Sequence, residues 1–123
     1  MADSSILLVH ADEAVIAELQ EALRGQGCDL EVAMDGLDAL GRLEDHPPAL
    51  VIADTMLPQL DGITLVKVMR SLEGTRDTPV IFVSERVDAT AMLMGFAAGA
   101  RYYVTIPFNP ADLLFKVKRL LSQ

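Results

Sequence analysis

The 123-residue chain has a single cysteine, Cys28. An internal disulfide is therefore excluded, and a domain stabilised by hydrophobic burial in a reducing compartment is expected. Cys28 stands in GQGCDL with no second Cys or His close by in sequence. It reads as a small buried filler at the entry to a strand rather than as a reactive thiol. Basic residues are scarce: 10 Lys and Arg against 18 Asp and Glu give a net charge of −8. Such a balance speaks against non-specific binding to nucleic acid or to an anionic membrane. No apolar run reaches the length of a membrane span. The start, MADSSILLVH, lacks the basic stretch of a signal peptide. A cytoplasmic protein with no direct nucleic-acid or membrane contact is expected. Linkers, low-complexity tracts and solenoid repeats are absent, and so is any loop rich enough in Gly, Ser and Thr to cradle a free phosphate. Residues 1–123 read as one domain.

What is present is a core. Hydrophobic residues make up 51% of the chain, and the mean hydropathy is +0.33, which argues against disorder. Short apolar runs alternate with segments of helical period. ILLV (6–9), DLEVAM (29–34), ALVIAD (49–54), TPVIFVS (78–84) and RYYVT (101–105) read as strands. Between and after them come helical segments. The first runs from Asp12 through Val15, Ile16, Leu19 and Leu23 to a stop at Gly25 and Gly27; the others are 35–46, 63–72, 88–100 and 111–123. Asp12 is the expected N-cap of the first helix, and Glu13 a first-turn charge on solvent. Five strands alternating with five helices specify an α/β domain, a doubly wound parallel sheet with helices on both faces in three layers.

Ligands of such sheets bind beyond the C-terminal ends of the strands. The residues there are His10 and Ala11, Asp54, Ser84 and Glu85, and Thr105 and Ile106. Three stretches through these positions, VIADTMLPQLDG, TPVIFVS and GARYYVTIPF, resemble the receiver domain of two-component response regulators, and the resemblance extends over essentially the whole chain. It implies a flavodoxin-like strand order 2-1-3-4-5. It also implies Asp54 as acceptor of a phosphoryl group from a histidine kinase, Ser84 as switch hydroxyl and Tyr103 as switch aromatic. A divalent metal is implied on an acidic pair after the first strand, the acceptor aspartate and the backbone carbonyl of Met56. A lysine after the fifth strand, followed by a cis peptide at Pro107, completes the pattern.

The charged half of that pattern is missing. The acidic pair falls on His10 and Ala11, and the lysine on Ile106. Phosphoryl transfer is mostly positioning and charge neutralisation, and loss of one oxyanion stabiliser commonly costs ~3–4 kcal/mol of barrier. His10 is expected beside Asp54 as a hydrogen-bonded structural residue; a transition-metal site of His10, Asp54 and Asp12 would lack a recognised ligand spacing. The resemblance therefore implies an atypical, pseudo-receiver variant with no bound Mg²⁺ and no enzymatic activity beyond residual self-phosphorylation or dephosphorylation at Asp54. It would work through protein partners, whether a kinase, an output domain or a second copy meeting it through the fourth helix, fifth strand and fifth helix. Phe115, off the apolar stripe of Leu113, Leu114, Val117, Leu120 and Leu121, joins Tyr103 as the expected contact surface, which Met92 and Met94 extend unless they are core. Lys116, Lys118 and Arg119 would suit an acidic partner. The rival readings are a working phosphoacceptor at Asp54 and a small-molecule-binding flavodoxin-like domain.

Overall fold

In the computed structural model, residues 4–122 are described. Strands β1 (Ser5–Val9), β2 (Asp29–Ala33), β3 (Leu50–Ala53), β4 (Val80–Ser84) and β5 (Tyr102–Thr105) alternate with helices α1 (Glu13–Ala22), α2 (Gly36–Asp45), α3 (Gly62–Ser71), α4 (Ala89–Ala98) and α5 (Pro110–Leu121). The sheet is wholly parallel, in the order β2-β1-β3-β4-β5. The inner strands are buried along their length, as expected where both faces are covered.

Alternation along each strand divides the interior into two cores. Ile6, Leu8, Leu50, Ile52, Ile81 and Val83 pack with Val15 and Leu19 of α1 and Leu113, Val117 and Leu120 of α5. Leu7, Val9, Val51, Ala53, Val80 and Phe82 pack with α2 and α3 through Leu43, Leu65, Val66 and Met69. The two adjacent tyrosines of β5 divide in the same way, Tyr102 joining the first core and Tyr103 the second.

Each helix starts at an Asx residue whose side chain accepts amide hydrogens of the first turn: Asp12, Asp35, Asp61, Asp88 and Asn109. These caps move several boundaries from their expected places. Residues 35 and 88 are caps rather than helix, α5 begins at Pro110, and α4 stops at Ala98 because Gly99 takes a left-handed φ of 117°. Strand β2 ends at Ala33, and β3 ends at Ala53, leaving Asp54 just beyond the strand. Cys28 is half-buried at the edge of the first core rather than enclosed within it. On α5, Leu114 and Leu121 are likewise only partly buried.

Candidate functional site

The carboxyl ends of β1, β3 and β4 converge on Asp54. Its backbone N–H donates to the Val9 carbonyl (2.9 Å), so the turn after β3 is tied to the end of β1. Gly62, at the start of α3, lies against the Asp54 carbonyl oxygen, where a Cβ would collide. A glycine there lets the helix come close to the loop. The Asp54 side chain is 14% exposed; Oδ1 accepts the Met56 N–H (3.2 Å), and Oδ2 lies 3.3 Å from His10 Nε2.

His10 continues β1, its N–H donating to the Ala33 carbonyl (3.1 Å), and is buried at 6% exposure. Its Nδ1 accepts the Asp12 N–H at 3.1 Å. A nitrogen that accepts carries no hydrogen, so the ring is neutral and its proton sits on Nε2. That N–H faces Asp54 at ion-pair distance but out of line for a hydrogen bond, and Nε2 has no other partner among the described residues. The ring therefore presents a hydrogen, not a lone pair, to the carboxylate.

The fit to a divalent cation follows from these donors. Ala11 has none. Asp12 turns its Oδ1 to the Ala14 N–H (2.8 Å) as the cap of α1. His10 cannot ligate through Nε2 while Nδ1 holds the Asp12 amide. Asp54 is left as the one carboxylate facing His10 across a cleft of about 290 Å³, with Glu85 exposed at its margin. No group of three or more His, Cys, Asp or Glu among the described residues could hold a metal ion. Mg²⁺ seeks octahedral oxygen ligands, and this donor set does not fit it; nor does it fit the transition-metal alternative of His10, Asp54 and Asp12. Ile106, half-buried, adds its side chain to the first core and supplies no charge; its peptide bond to Pro107 is cis.

The hydroxyl side of the pocket is closed on itself. Ser84, at 1% exposure, shares a 3.0 Å hydrogen bond with Thr55 Oγ1 and accepts the Arg86 N–H (3.1 Å). The Arg86 carbonyl in turn accepts the Tyr103 hydroxyl (2.6 Å). A continuous chain thus runs from the residue after Asp54, through Ser84 and the β4–α4 loop, to Tyr103. The Tyr103 ring is tilted against Phe82 and Phe96, with centroids 6.3 and 6.5 Å away. Thr105 lies at the end of β5, in register with Ser84.

Thr55 and Arg86 were not singled out by the sequence. Thr55 had one available signal, a hydroxyl directly after the acceptor position. Arg86 acts through its backbone, which no side-chain motif records. The expected contact surface divides as well. Phe115 is 62% exposed on α5. Met94, 51% exposed, lines a groove beside α3 with Ile63 and Lys67. The α4 residue beside Tyr103 is Phe96, with Leu93 projecting outward at 70% exposure. Met92 is half-buried. Lys116 is held by Asp112 (2.6 Å) and by the Tyr102 ring, while Lys118 and Arg119 are exposed.

A family model of the response regulator receiver domain matches residues 6–118. The chain is 34% identical over 118 residues to the transcriptional regulatory protein PrrA of Mycobacterium tuberculosis, and 35% identical over 118 residues to the DNA-binding response regulator MtrA of the same species. These alignments take in 96% and 95% of this chain and 50% of each relative; the chain spans about half the length of the curated relatives it matches. Among solved structures it is similar to the receiver domain of the Francisella response regulator 1452, with TM-score 0.88, 28% identity and 98% of each chain covered. It is also similar to the receiver domain of a sensor histidine kinase from Pseudomonas aeruginosa PAO1, with TM-score 0.90, 25% identity, and 99% and 100% of the chains covered. That domain was solved with a magnesium ion coordinated in its active-site cleft.

Proposed function

The chain belongs to the response regulator receiver domain family of two-component signalling, and from that premise we propose that it signals without magnesium-assisted phosphorylation, through protein contacts on the side formed by α4, β5 and α5. The observation that carries this reading is the His10 ring, whose bound Asp12 amide leaves an N–H facing Asp54. Asp54 is an anion, and a phosphodonor is an anion too. With a neutral donor on one side and Ile106 on the other, no lysine or arginine among the described residues lining the cleft offsets their repulsion. Residual self-phosphorylation at Asp54 is the most such a pocket would support.

The pocket is nonetheless connected to the surface. Thr55, Ser84, Arg86 and Tyr103 are already joined by hydrogen bonds, so the β4–α4 loop is held without a phosphoryl group. Output would then depend on what docks: a histidine kinase, an output domain or a second copy, in the cytoplasm and without direct nucleic-acid contact by this domain.

Incubation with acetyl phosphate and Mg²⁺, followed by intact mass measurement, tests the proposal. The expected result is an unchanged mass. A gain of one phosphoryl group that is lost in Asp54→Asn would establish a working phosphoacceptor instead.

A further inference from the structure

Adjoining the Asp54 cleft, and sharing Ala11 and Met56 with it, a groove of about 730 Å³ runs between the β3–α3 loop, α3 and α4. Its size is that of a small-molecule site. Met56, Leu57, Ile63 and Met94 make it mainly apolar, and Ala11 closes the end nearest the cleft with a methyl group. Asp54 does not line it.

The charges on its rim are unequal. Asp61 is fully used: Oδ1 accepts the Thr64 N–H (2.9 Å), and Oδ2 the Thr64 hydroxyl (3.0 Å), at the positive end of the α3 dipole. Arg86 is paired with Asp88 at 3.2 Å. Lys67, one turn along α3 from Ile63, has no ion pair or hydrogen bond among the described residues. An apolar trough with one uncommitted ammonium at its edge is complementary to a molecule with an apolar body and a single negative head.

We infer that this groove is a binding site for a small amphiphilic carboxylate, its chain lying along Leu57, Ile63 and Met94 and its head on Lys67. Binding there requires no phosphoryl group on Asp54, so the proposal goes beyond the reading above. Occupancy would fill the space between α3 and the β4–α4 loop, and would act on the loop that holds Ser84 and Tyr103.

The test is an amide NMR titration of the whole chain with decanoate and, in parallel, with the neutral decanol. Saturable shifts centred on Ile63, Lys67 and Met94 are expected. Decanoate should bind more tightly, and Lys67→Glu should weaken decanoate about fivefold while leaving decanol unchanged, as for one exposed ion pair. Lys67 is exposed, so the variant does not threaten folding. Phe115→Ala should change neither ligand. The inference is overturned if shifts fail to saturate, if they centre on Leu93 or Phe115, or if decanoate and decanol respond alike to Lys67→Glu.

Discussion

One backbone amide decides what His10 can do. Because the Asp12 N–H occupies Nδ1, removing the imidazole alone creates no ligand; carboxylates must be put in its place. The double variant His10→Asp, Ala11→Asp should gain Mg²⁺ binding by calorimetry, and addition of Ile106→Lys should bring Asp54-dependent phosphorylation with it. His10→Ala should gain neither. Mg²⁺ binding by the unaltered chain as tight as by the double variant would refute the view that His10 and Ala11 close the metal site. Cys28 allows a second residue-scale prediction. Partial burial, with Asp29 adding to it, pushes its thiol above the ordinary value. Since the thiolate is the nucleophile, alkylation by iodoacetamide near neutral pH should be slower than for a free cysteine, and unfolding in urea should remove the difference. At this scale the sequence revealed the pocket positions by their departures, His10, Ala11 and Ile106. It did not reveal the Thr55–Ser84 bond, which joins residues 29 apart in sequence, or the role of the Arg86 carbonyl. Neither leaves a local pattern.

The elements were legible where period and burial agreed. All five strands and all five helices were readable because buried parallel strands are apolar throughout and surface helices repeat at 3.6 residues. Their ends were less so, since an Asx residue at a boundary suits either the helix or its cap. α4 was the hardest to interpret. Residues 89–98 carry no charge, and Leu93, Met94 and Phe96 are all exposed, so its outward faces could not be separated by polarity. The contacts separate them: Met94 toward α3 and Phe96 toward Tyr103. Two groups at its ends are open to test. Arg70 donates from Nη1 to the Thr75, Arg76 and Thr78 carbonyls and from Nη2 to the Gly99 carbonyl, joining α3 to the C-terminus of α4. Arg70→Ala should cost about 2–3 kcal/mol in urea denaturation, and Arg70→Lys should recover little, because an ammonium cannot reproduce the planar fork. At the other end, the Ala91 amide, with the Asp88 amide and Arg86 adding smaller effects, holds the Asp88 carboxyl below its ordinary value of 3.8. A lowered acid value stabilises the fold above the unfolded value and loses that contribution as pH falls through the folded one. The Ala91 amide shift should therefore titrate with a midpoint below 3.8; a midpoint at or above it would mean that the cap is not formed.

Across the whole molecule, charge and apolar surface are unevenly divided. Residues 1–88 hold 17 of the 18 acidic residues and 6 bases, whereas 89–123 hold 4 bases and only Asp112 as an acid. The segment that forms α4, β5 and α5 thus carries a net positive charge on a strongly acidic protein, with Leu93 and Phe115 as its most exposed large apolar side chains. That combination fixes the sign of a salt effect. If two copies meet through this side, like charges approach, and screening must strengthen the contact; an acidic partner would show the reverse. Sedimentation velocity at increasing protein concentration should therefore show self-association that rises with ionic strength and falls in Leu93→Ala and Phe115→Ala. Leu37→Ala, which removes another exposed large apolar side chain, from the acidic α2, serves as the control and should have no effect. Equal loss in all three variants would show that association is generic hydrophobic contact, and self-association that weakens with salt would place the acidic part of the molecule in the interface.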